Sequence, residues 1–465
     1  MMFRITGKNN KTSGQLRHCM DCVGCLALLM FVFFGFAKAE ASDARIELPK
    51  PLQESDFRKT SVLKSKLGQL LFYDKILSGN QNISCATCHH HKFASADGLS
   101  LPVGEGGVGI GPKRTVGSGP DMIEQRVPRN SPSLFNLGAK EFTVLFHDGR
   151  VSVDPKLPSG FNTPADEDLP YGLANVMAAQ AMFPVTSPVE MAGEFGENEV
   201  ANAANRGVEY VWPVLEARLR NIPQYVDLFR KAFPDITTDN QISMVHVANA
   251  LADFQMREWR SDQSPFDQYL RGDKSALSDD QVKGMKMFYG RGRCAECHSG
   301  ALQTDHKFYA IAMPQLGYPL TRMFDPVVRD RGRINETDAL EDQYKFRTPS
   351  LRNITATAPY GHSGAYRSLE AVVRHHFNPV ASFKAYDPKQ AILPKHPSLS
   401  KVDLIAMENP RERLQLLNAN EIKLEGLTDP EIDHLLSFLE ALTDTGSLEG
   451  KLGVPTSVPS RLSID

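Results

Sequence analysis

The chain has 465 residues, which is long enough for two or more domains, and its 41% hydrophobic and 23% charged residues are ordinary for a globular protein. The formal net charge of −3 argues against a nucleic-acid partner, because proteins that bind nucleic acids carry a basic excess. These properties favour a mildly acidic globular protein with more than one domain.

The N-terminus has the features of a targeting segment. A basic stretch precedes an apolar run over residues 23–36, and Ala37-Lys38-Ala39 supplies the small residues of a signal-peptidase site. We therefore predict a signal peptide over residues 1–39, cleaved near Ala39, and a periplasmic location. The apolar run is short for a membrane span, although an uncleaved anchor is an alternative. Three cysteines fall in this segment and would be removed with it, namely Cys19, Cys22 and Cys25.

All four remaining cysteines belong to two copies of the pattern Cys-x-x-Cys-His. The first copy is Cys85, Cys88 and His89, and the second is Cys294, Cys297 and His298. About 0.003 copies are expected by chance at this composition, and the pattern is the attachment signature of a c-type haem. A zinc site, a redox-active dithiol or two small disulfides are alternatives. Zinc knuckles close within about 20 residues, whereas these pairs lie roughly 200 apart, so we predict two covalently bound haems c.

The rest of the chain is predicted to be mainly α-helical. Apolar residues at helical spacing predict helices over residues 55–75, 173–182, 210–233, 241–259, 368–377 and 428–442, and another helix leads into the second haem motif. Residues 98–119 are rich in glycine and predict a loop over the first haem. Residues 380–420 form an insertion of no assigned role. A helix and a glycine-bearing break precede each motif, which predicts two haem domains of similar plan, residues 40–240 and 241–465.

Four histidines near these elements are candidates for roles at the haems. His90 and His91 are too close to the first motif to reach the far face of the same iron, and we predict that they are exposed. His376 continues the apolar stripe of the helix over residues 368–377 and should point inward. It is either a satisfied core residue or the second axial ligand of the second haem. Its neighbour His375 should point away.

Further motifs occur in a fixed order: Arg129-Asn130-x-Pro132, Asp148-Gly149-Arg150, Pro188-Val189-Glu190-Met191, Ser264-Pro265-Phe266-Asp267, Phe346 to Asn353 and Pro359-Tyr360-x-His362. With the two haem motifs, this pattern over residues 60–442 resembles the bacterial di-haem cytochrome c peroxidase family, including its MauG branch. The resemblance implies two cytochrome c-like haem domains with long loops, whose haems face a shared interface.

The resemblance makes the first haem the peroxidatic one, with Glu190 and Gln180 matching the family's Glu and Gln on its open face. A carboxylate there can move a proton between the two peroxide oxygens, and a neutral amide can hold peroxide without competing for that proton. Family members that need reductive activation carry a histidine in the following loop. Glu105 occupies the corresponding spacing here, so we predict that the first haem is open without prior reduction.

At the second haem, the sixth ligand of the family is a Met, or a Tyr in the MauG branch. His376 occupies that position, and a His pair should give a lower potential than a His–Met pair. The family's Trp between the haems is replaced by His147, and imidazole is a poor electron relay. Arg347 matches an arginine near the haems that can pair with a propionate.

The family also binds a calcium ion between its domains, and Asn130, Thr357 and Pro359 match its protein ligands. An oxygen-only ligand set with waters suits calcium. The resemblance implies a peroxidase that takes electrons from a small redox protein, either a cytochrome c or a cupredoxin. A MauG-like enzyme that oxidatively modifies a partner protein and a non-catalytic electron carrier are the alternatives, and a homodimer is left open.

Overall fold

The structure is a computed structural model that describes residues 46–119, 122–318 and 329–465. The predicted signal peptide, residues 1–39, lies outside these ranges. The described residues from Ile46 onward form one compact unit. None of the described helices is both long enough and apolar enough to cross a membrane.

Helices dominate, which confirms the mainly α class. They are α1 Val62–Tyr73, α2 Cys85–Cys88, α3 Val176–Ala181, α4 Glu199–Ala204, α5 Val211–Arg220, α6 Pro223–Ala232, α7 Met244–Glu258, α8 Pro265–Leu270, α9 Asp279–Tyr289, α10 Ile334–Thr337, α11 Leu369–Phe377, α12 Pro379–Lys384, α13 Pro397–Ser400, α14 Ile405–Glu408, α15 Pro410–Asn418, α16 Asp429–Glu440 and α17 Thr445–Leu448. The strands are β1 Val144–Leu145, β2 Val151–Val153, β3 Phe161–Asn162, β4 Phe308–Tyr309 and β5 Phe346–Arg347. Strands β1 to β3 form one antiparallel sheet, and β4 pairs with β5.

The helix before each haem motif packs tightly against a later helix, and a glycine makes each approach possible. In α1, a Cβ on Gly68 would lie 1.9 Å from the carbonyl oxygen of Ala250 in α7. In α9, a Cβ on Gly284 would lie 1.8 Å from the carbonyl oxygen of His434 in α16. Both distances are far below contact, so only a residue without a Cβ fits. The predicted similarity of the two halves therefore extends to how each haem helix is packed.

The helix predicted over residues 210–233 is two helices in the structure. Helix α5 ends at Arg220, and α6 begins at Pro223. A proline lacks the N–H that a continuing helix needs and forces the residue before it into an extended conformation. Ile222 has φ −112° and ψ 101°, as that restriction requires.

Two hydrophobic cores carry the fold. The first is built mainly on α1, α3 and α5 to α7, and the second on α8, α9 and α16. Helix α7 lies beyond residue 240 but packs against α1 in the first core. The domain division at residue 240 stays a prediction, and this packing would place α7 with the first haem.

The insertion over residues 380–420 packs against the glycine-rich loop that follows the first haem motif. Leu399 in α13 joins a small apolar cluster with Leu99 and Val103 of that loop. The buried guanidinium of Arg126 also pairs with Asp403, with Nε 2.8 Å from Oδ1 and Nη2 3.1 Å from Oδ2. The insertion therefore contacts both the loop and the segment that follows it.

Candidate active site

The first haem motif presents two thiols and an imidazole in the arrangement that haem attachment requires. Cys85 and Cys88 are the first and last residues of α2, so they lie about one turn apart on the same face. Both are free thiols in the structure. The Nδ1 atom of His89 lies 2.9 Å from the carbonyl oxygen of Ser95. Because that oxygen can only accept, Nδ1 carries the proton and Nε2 keeps the lone pair that an iron ligand needs.

The second haem motif repeats this arrangement. Cys294 opens a single helical turn, and Cys297 follows it, again as a free thiol. The Nδ1 atom of His298 lies 3.1 Å from the carbonyl oxygen of Gln303, which again leaves Nε2 as the ligand. Burial lowers the pKa of His298 to about 4, so its imidazole is neutral, as metal ligation requires.

His376 on α11 faces His298 at the separation that one iron between two imidazoles requires. Its Nδ1 lies 2.8 Å from the carbonyl oxygen of Val372, so its Nε2 is also the free nitrogen. The two ring centroids are 6.3 Å apart. Two metal–nitrogen bonds of about 2 Å each, plus about 1 Å from each nitrogen to its ring centre, give about 6 Å. This agreement supports the predicted pair of axial histidines.

A cavity of about 690 Å³ surrounds this histidine pair, and Arg347 lies in its wall. The Arg347 guanidinium donates to the carbonyl oxygens of Phe146, at 3.1 Å, and Thr348, at 3.3 Å. Among the described residues it has no carboxylate partner, and burial lowers its pKa to about 10. A buried cation without a counter-charge is costly, so a haem propionate would fit beside it. The cavity, its two histidines and its unmatched arginine therefore suit a haem.

Glu190 lies close to the attachment point of the first haem. It sits in a single π-helical turn that begins at Pro188, and such turns occur often at functional sites. The residue is partly exposed, yet its carboxyl is enclosed enough that burial raises its pKa. Burial is the main cause of the raised thiol pKa values of Cys85 and Cys88, and the Glu190 charge adds to both. The carboxylate is thus within electrostatic range of both attachment residues.

Gln180 lies in the last turn of α3 and is half-buried. The chain then runs through Pro184 and reaches Glu190 ten residues later. Its predicted role in holding peroxide stays a prediction.

Glu105 lies beside the turn that carries Glu190. Its N–H donates to the carbonyl oxygen of Val189 at 3.1 Å. Its Oε1 accepts hydrogen bonds from the side-chain amides of Asn80, at 3.0 Å, and Asn82, at 2.5 Å. The position of the family's extra histidine is therefore occupied by a Glu side chain that two asparagines hold by hydrogen bonds.

His147 lies in a rigid turn. Its Nε2 is 3.2 Å from the carbonyl oxygen of Asn130. Burial, reinforced by the Arg129 charge, lowers its pKa to about 4, so the ring is neutral. Arg129 pairs with Asp148 at 2.5 Å, and Arg333 donates to the Asp148 carbonyl oxygen at 2.8 Å. The two guanidinium groups fix the turn and hence the imidazole.

Comparison with known proteins shows which family of haem proteins the chain resembles. A family model for di-haem cytochrome c peroxidases matches residues 63–275. The chain is 31% identical to the methylamine utilization protein MauG of Methylorubrum extorquens, over 76% of this chain and 82% of that protein. It is 30% identical to the cytochrome c551 peroxidase of Pseudomonas aeruginosa, over 70% of this chain and 75% of that protein. The chain belongs to the di-haem cytochrome c peroxidase family. A solved MauG-like protein associated with microbial copper homeostasis has 25% identity and a TM-score of 0.55, over 87% of this chain and 95% of that one.

Membership in the di-haem peroxidase family confirms the predicted family and implies two c-type haems. The predicted calcium site stays a prediction. The side-chain amide of Asn130 donates to the carbonyl oxygens of Leu99, at 2.8 Å, and Ser100, at 3.3 Å. Thr357 and Pro359 lie beside the second haem cavity. The described residues contain no group of three or more His, Cys, Asp or Glu that could hold a metal ion.

Two predictions about histidines of this family member are wrong. His375 does not point away into solvent but is fully buried. Its Nε2 lies 2.7 Å from the carbonyl oxygen of Ile311, and its Nδ1 lies 2.8 Å from the hydroxyl of Tyr366. Helix α11 is covered on the side that carries His375 as well as on the side that carries His376, so the apolar stripe alone could not show that both histidines are enclosed.

The second error concerns the histidines that follow the first haem motif. His90 is 1% exposed. His91 is hydrogen-bonded through Nδ1 to the hydroxyl of Tyr73 and through Nε2, at 2.6 Å, to the fully buried carboxylate of Glu258. Glu258 is far away in sequence, so no local pattern marks it as the partner. The local sequence signal for the burial of His91 is Tyr73, the last residue of α1, whose hydroxyl is its second partner.

Proposed function

We propose that the chain is a periplasmic di-haem peroxidase that reduces hydrogen peroxide to water with electrons from a small redox protein. Each turnover consumes one peroxide, two electrons and two protons and gives two waters. The position of Glu190 carries the proposal: its carboxyl is enclosed, and its charge acts on both cysteines of the first haem motif. An enclosed carboxyl beside the attachment point is where proton transfer to bound peroxide would be needed.

The proposed roles of the side chains follow from their chemistry. When bound, the first haem supplies the iron that takes up peroxide and the electrons that break its O–O bond. His89 would ligate that haem through Nε2, because its Nδ1 is bonded to the Ser95 carbonyl oxygen. Glu190 takes the proton from one peroxide oxygen and delivers it to the other, which leaves as water. Burial raises the pKa of Glu190 above its usual value, which makes its carboxylate a stronger base for the peroxide proton. Gln180 would hold the peroxide through its neutral amide.

A second candidate is the oxidative modification of a partner protein, as the MauG relationship suggests. The MauG of Methylorubrum extorquens is as similar to this chain as the peroxidases are. The geometry of His376 favours it further, because a nitrogen pair at the second iron would make that haem a weaker electron store than a His–Met pair.

Stopped-flow addition of hydrogen peroxide to the diferric protein separates these functions. Rapid reaction followed by turnover with a reduced cytochrome c or cupredoxin supports the peroxidase. A long-lived two-electron-oxidised state that these donors do not discharge supports the protein-modifying enzyme. No reaction in either the diferric or the half-reduced state would refute both and leave an electron carrier.

The role of Glu190 is tested in the same experiment with a matched control. Glu190→Gln should slow the reaction with peroxide by about 10²–10⁴-fold, the usual contribution of a general acid–base group. Glu194→Gln, an exposed carboxylate four residues later, should leave it unchanged. The wild-type rate should fall in acid as Glu190 becomes protonated, and Glu190→Gln should lack that limb. Equal rates in the two variants would refute the assignment.

A further inference from the structure

Trp259 is a buried tryptophan whose indole N–H has no hydrogen-bond partner in the structure. It caps the C-terminus of α7, and its side chain is almost inaccessible, with 1% of the residue exposed. Buried indole N–H groups usually find an acceptor. The other tryptophan of the chain, Trp212, follows that rule and donates to the carbonyl oxygen of Met182 at 3.0 Å. Trp259 therefore differs from Trp212 in that its buried indole N–H is unpaired.

On one side, Trp259 reaches the residues that hold the first haem. Its ring centroid lies 5.4 Å from that of His91. His91 is two residues after the iron ligand His89, and two residues span at most about 7 Å. Phe72 and Phe254 pack around the indole at 5.3 and 5.4 Å, which keeps water away from it.

On the other side, Trp259 adjoins the wall of the second haem cavity. Its carbonyl oxygen accepts a hydrogen bond from the N–H of Asn136 at 2.9 Å. The residues on either side of Asn136, Phe135 and Leu137, line the cavity that contains His298. The indole thus contacts the first haem motif segment through His91, and the backbone of Trp259 contacts the segment that lines the second haem cavity.

The chemistry of this position suits reversible loss of an electron. Indole is oxidised far more readily than imidazole. At the position of the family's Trp between the haems this chain has His147, whose imidazole is neutral and would be a poor electron relay. The unpaired indole N–H has no acceptor for its proton, so an oxidised Trp259 would keep that proton and carry a positive charge. Glu258 precedes Trp259 in the chain and is fully buried, and its carboxylate accepts hydrogen bonds from the N–H groups of Leu452, at 2.6 Å, and Gly453, at 2.8 Å. The same carboxylate lies 2.6 Å from Nε2 of His91, whose ring is 5.4 Å from the indole. A fixed anion in a low-dielectric interior stabilises a neighbouring cation.

We propose that Trp259 is an electron relay between the two haem sites. It gives one electron to the first site after peroxide has oxidised that site, and it receives one electron from the second. No bond forms or breaks in either step, and the indole ends as it began. The inference rests on the proposed function, because hydrogen peroxide is the oxidant.

Electron paramagnetic resonance of the holoprotein tests the relay. Diferric protein is frozen within milliseconds of mixing with hydrogen peroxide, in samples grown with ordinary or ring-deuterated tryptophan. A radical signal that narrows on deuteration is an indole radical and not a tyrosyl radical. The signal should persist in Trp212→Phe, in which Trp259 is the sole tryptophan, and should be lost in Trp259→Phe. The spectral change at the second haem should slow in Trp259→Phe but not in Trp212→Phe.

A peroxide-independent oxidant separates failure of the relay from failure of the proposed function. The same samples are oxidised by flash-quench with a ruthenium polypyridyl photo-oxidant. If peroxide oxidises the haems but no deuterium-sensitive signal appears in Trp212→Phe, the relay is refuted and the peroxidase proposal stands. If peroxide does not react, the proposed function fails and the flash-quench signal decides the relay, which is supported by its presence in Trp212→Phe and refuted by its absence.

Discussion

Replacing His376 should convert the second haem from a six-coordinate, low-spin state to one with an open position. Two neighbouring histidines on α11 could supply the ligand, and their hydrogen bonds distinguish them. His375 uses both ring nitrogens, on Ile311 and Tyr366, whereas His376 uses only Nδ1. The centroid separation of 6.3 Å from His298 also leaves room for one iron.

Three variants make this prediction quantitative. His376→Ala should give a high-spin second haem. His376→Met should keep it low-spin and raise its potential by on the order of 0.2 V, since axial ligands set haem potentials over a range of about 0.8 V. His375→Asn should leave the spectrum low-spin and lower the free energy of unfolding by about 1–3 kcal/mol, because Tyr366 and Ile311 would lose their buried partner.

Low-temperature electron paramagnetic resonance and a spectroelectrochemical titration read out all three variants, with chemical denaturation as the stability measurement. The first haem provides the internal reference, because none of these substitutions touches its motif. A low-spin signal retained at the second haem in His376→Ala but lost in His375→Asn would reverse the assignment. Loss of both signals in either variant would indicate unfolding, which the denaturation curve would reveal.

Two further predictions concern stability. Gly68→Ala should lower the free energy of unfolding, measured by urea titration, by about 1–3 kcal/mol or more. The reason is that the new Cβ would sit 1.9 Å from the Ala250 carbonyl oxygen. Gly426→Ala is the control, because Gly426 has open space around it and its substitution should have little effect. Asp330→Asn should cost about 3–5 kcal/mol at pH 7 by breaking its buried pair with Arg129. The Arg129 guanidinium, outweighing burial, lowers the pKa of Asp330 in the folded state. This stabilisation is complete above the unfolded-state pKa of about 4 and is lost as the pH falls. The difference in free energy of unfolding between wild type and Asp330→Asn should therefore narrow in acid. A difference that does not change with pH would contradict the reasoning.

What could be predicted from the sequence depended on whether the signal was local. The helix that ends at Tyr73, the haem motifs and the inward face of His376 all follow from spacing within a dozen residues, and each appears in the structure. The signal for the split between α5 and α6 is also local, because Pro223 interrupts the apolar periodicity across residues 210–233. A proline in the middle of a periodic stretch ends a helix more reliably than periodicity extends it.

The missed features are contacts between distant parts of the chain. The burial of His91 depends on Glu258, and the insertion acquires its role through the pairing of Asp403 with Arg126. Neither partner is marked by composition or periodicity, because a buried ion pair looks like a surface charge in a sequence. Such pairs are costly unless both members are present, so they become visible only once the fold has brought them together.

The two halves use the same proximal arrangement, and their difference lies on the opposite side of each iron. In both, the motif histidine is oriented by a carbonyl oxygen a few residues later, Ser95 for His89 and Gln303 for His298. The second half adds His376 from the nine-residue helix α11, whose Val372 carbonyl oxygen orients the imidazole towards His298, where it would be the sixth ligand of the predicted pair. The first half instead brings Glu190 near its motif on a single π turn. A nitrogen ligand at the second haem and a carboxyl of raised pKa near the first haem are the two features on which the proposed division of labour between the haems rests.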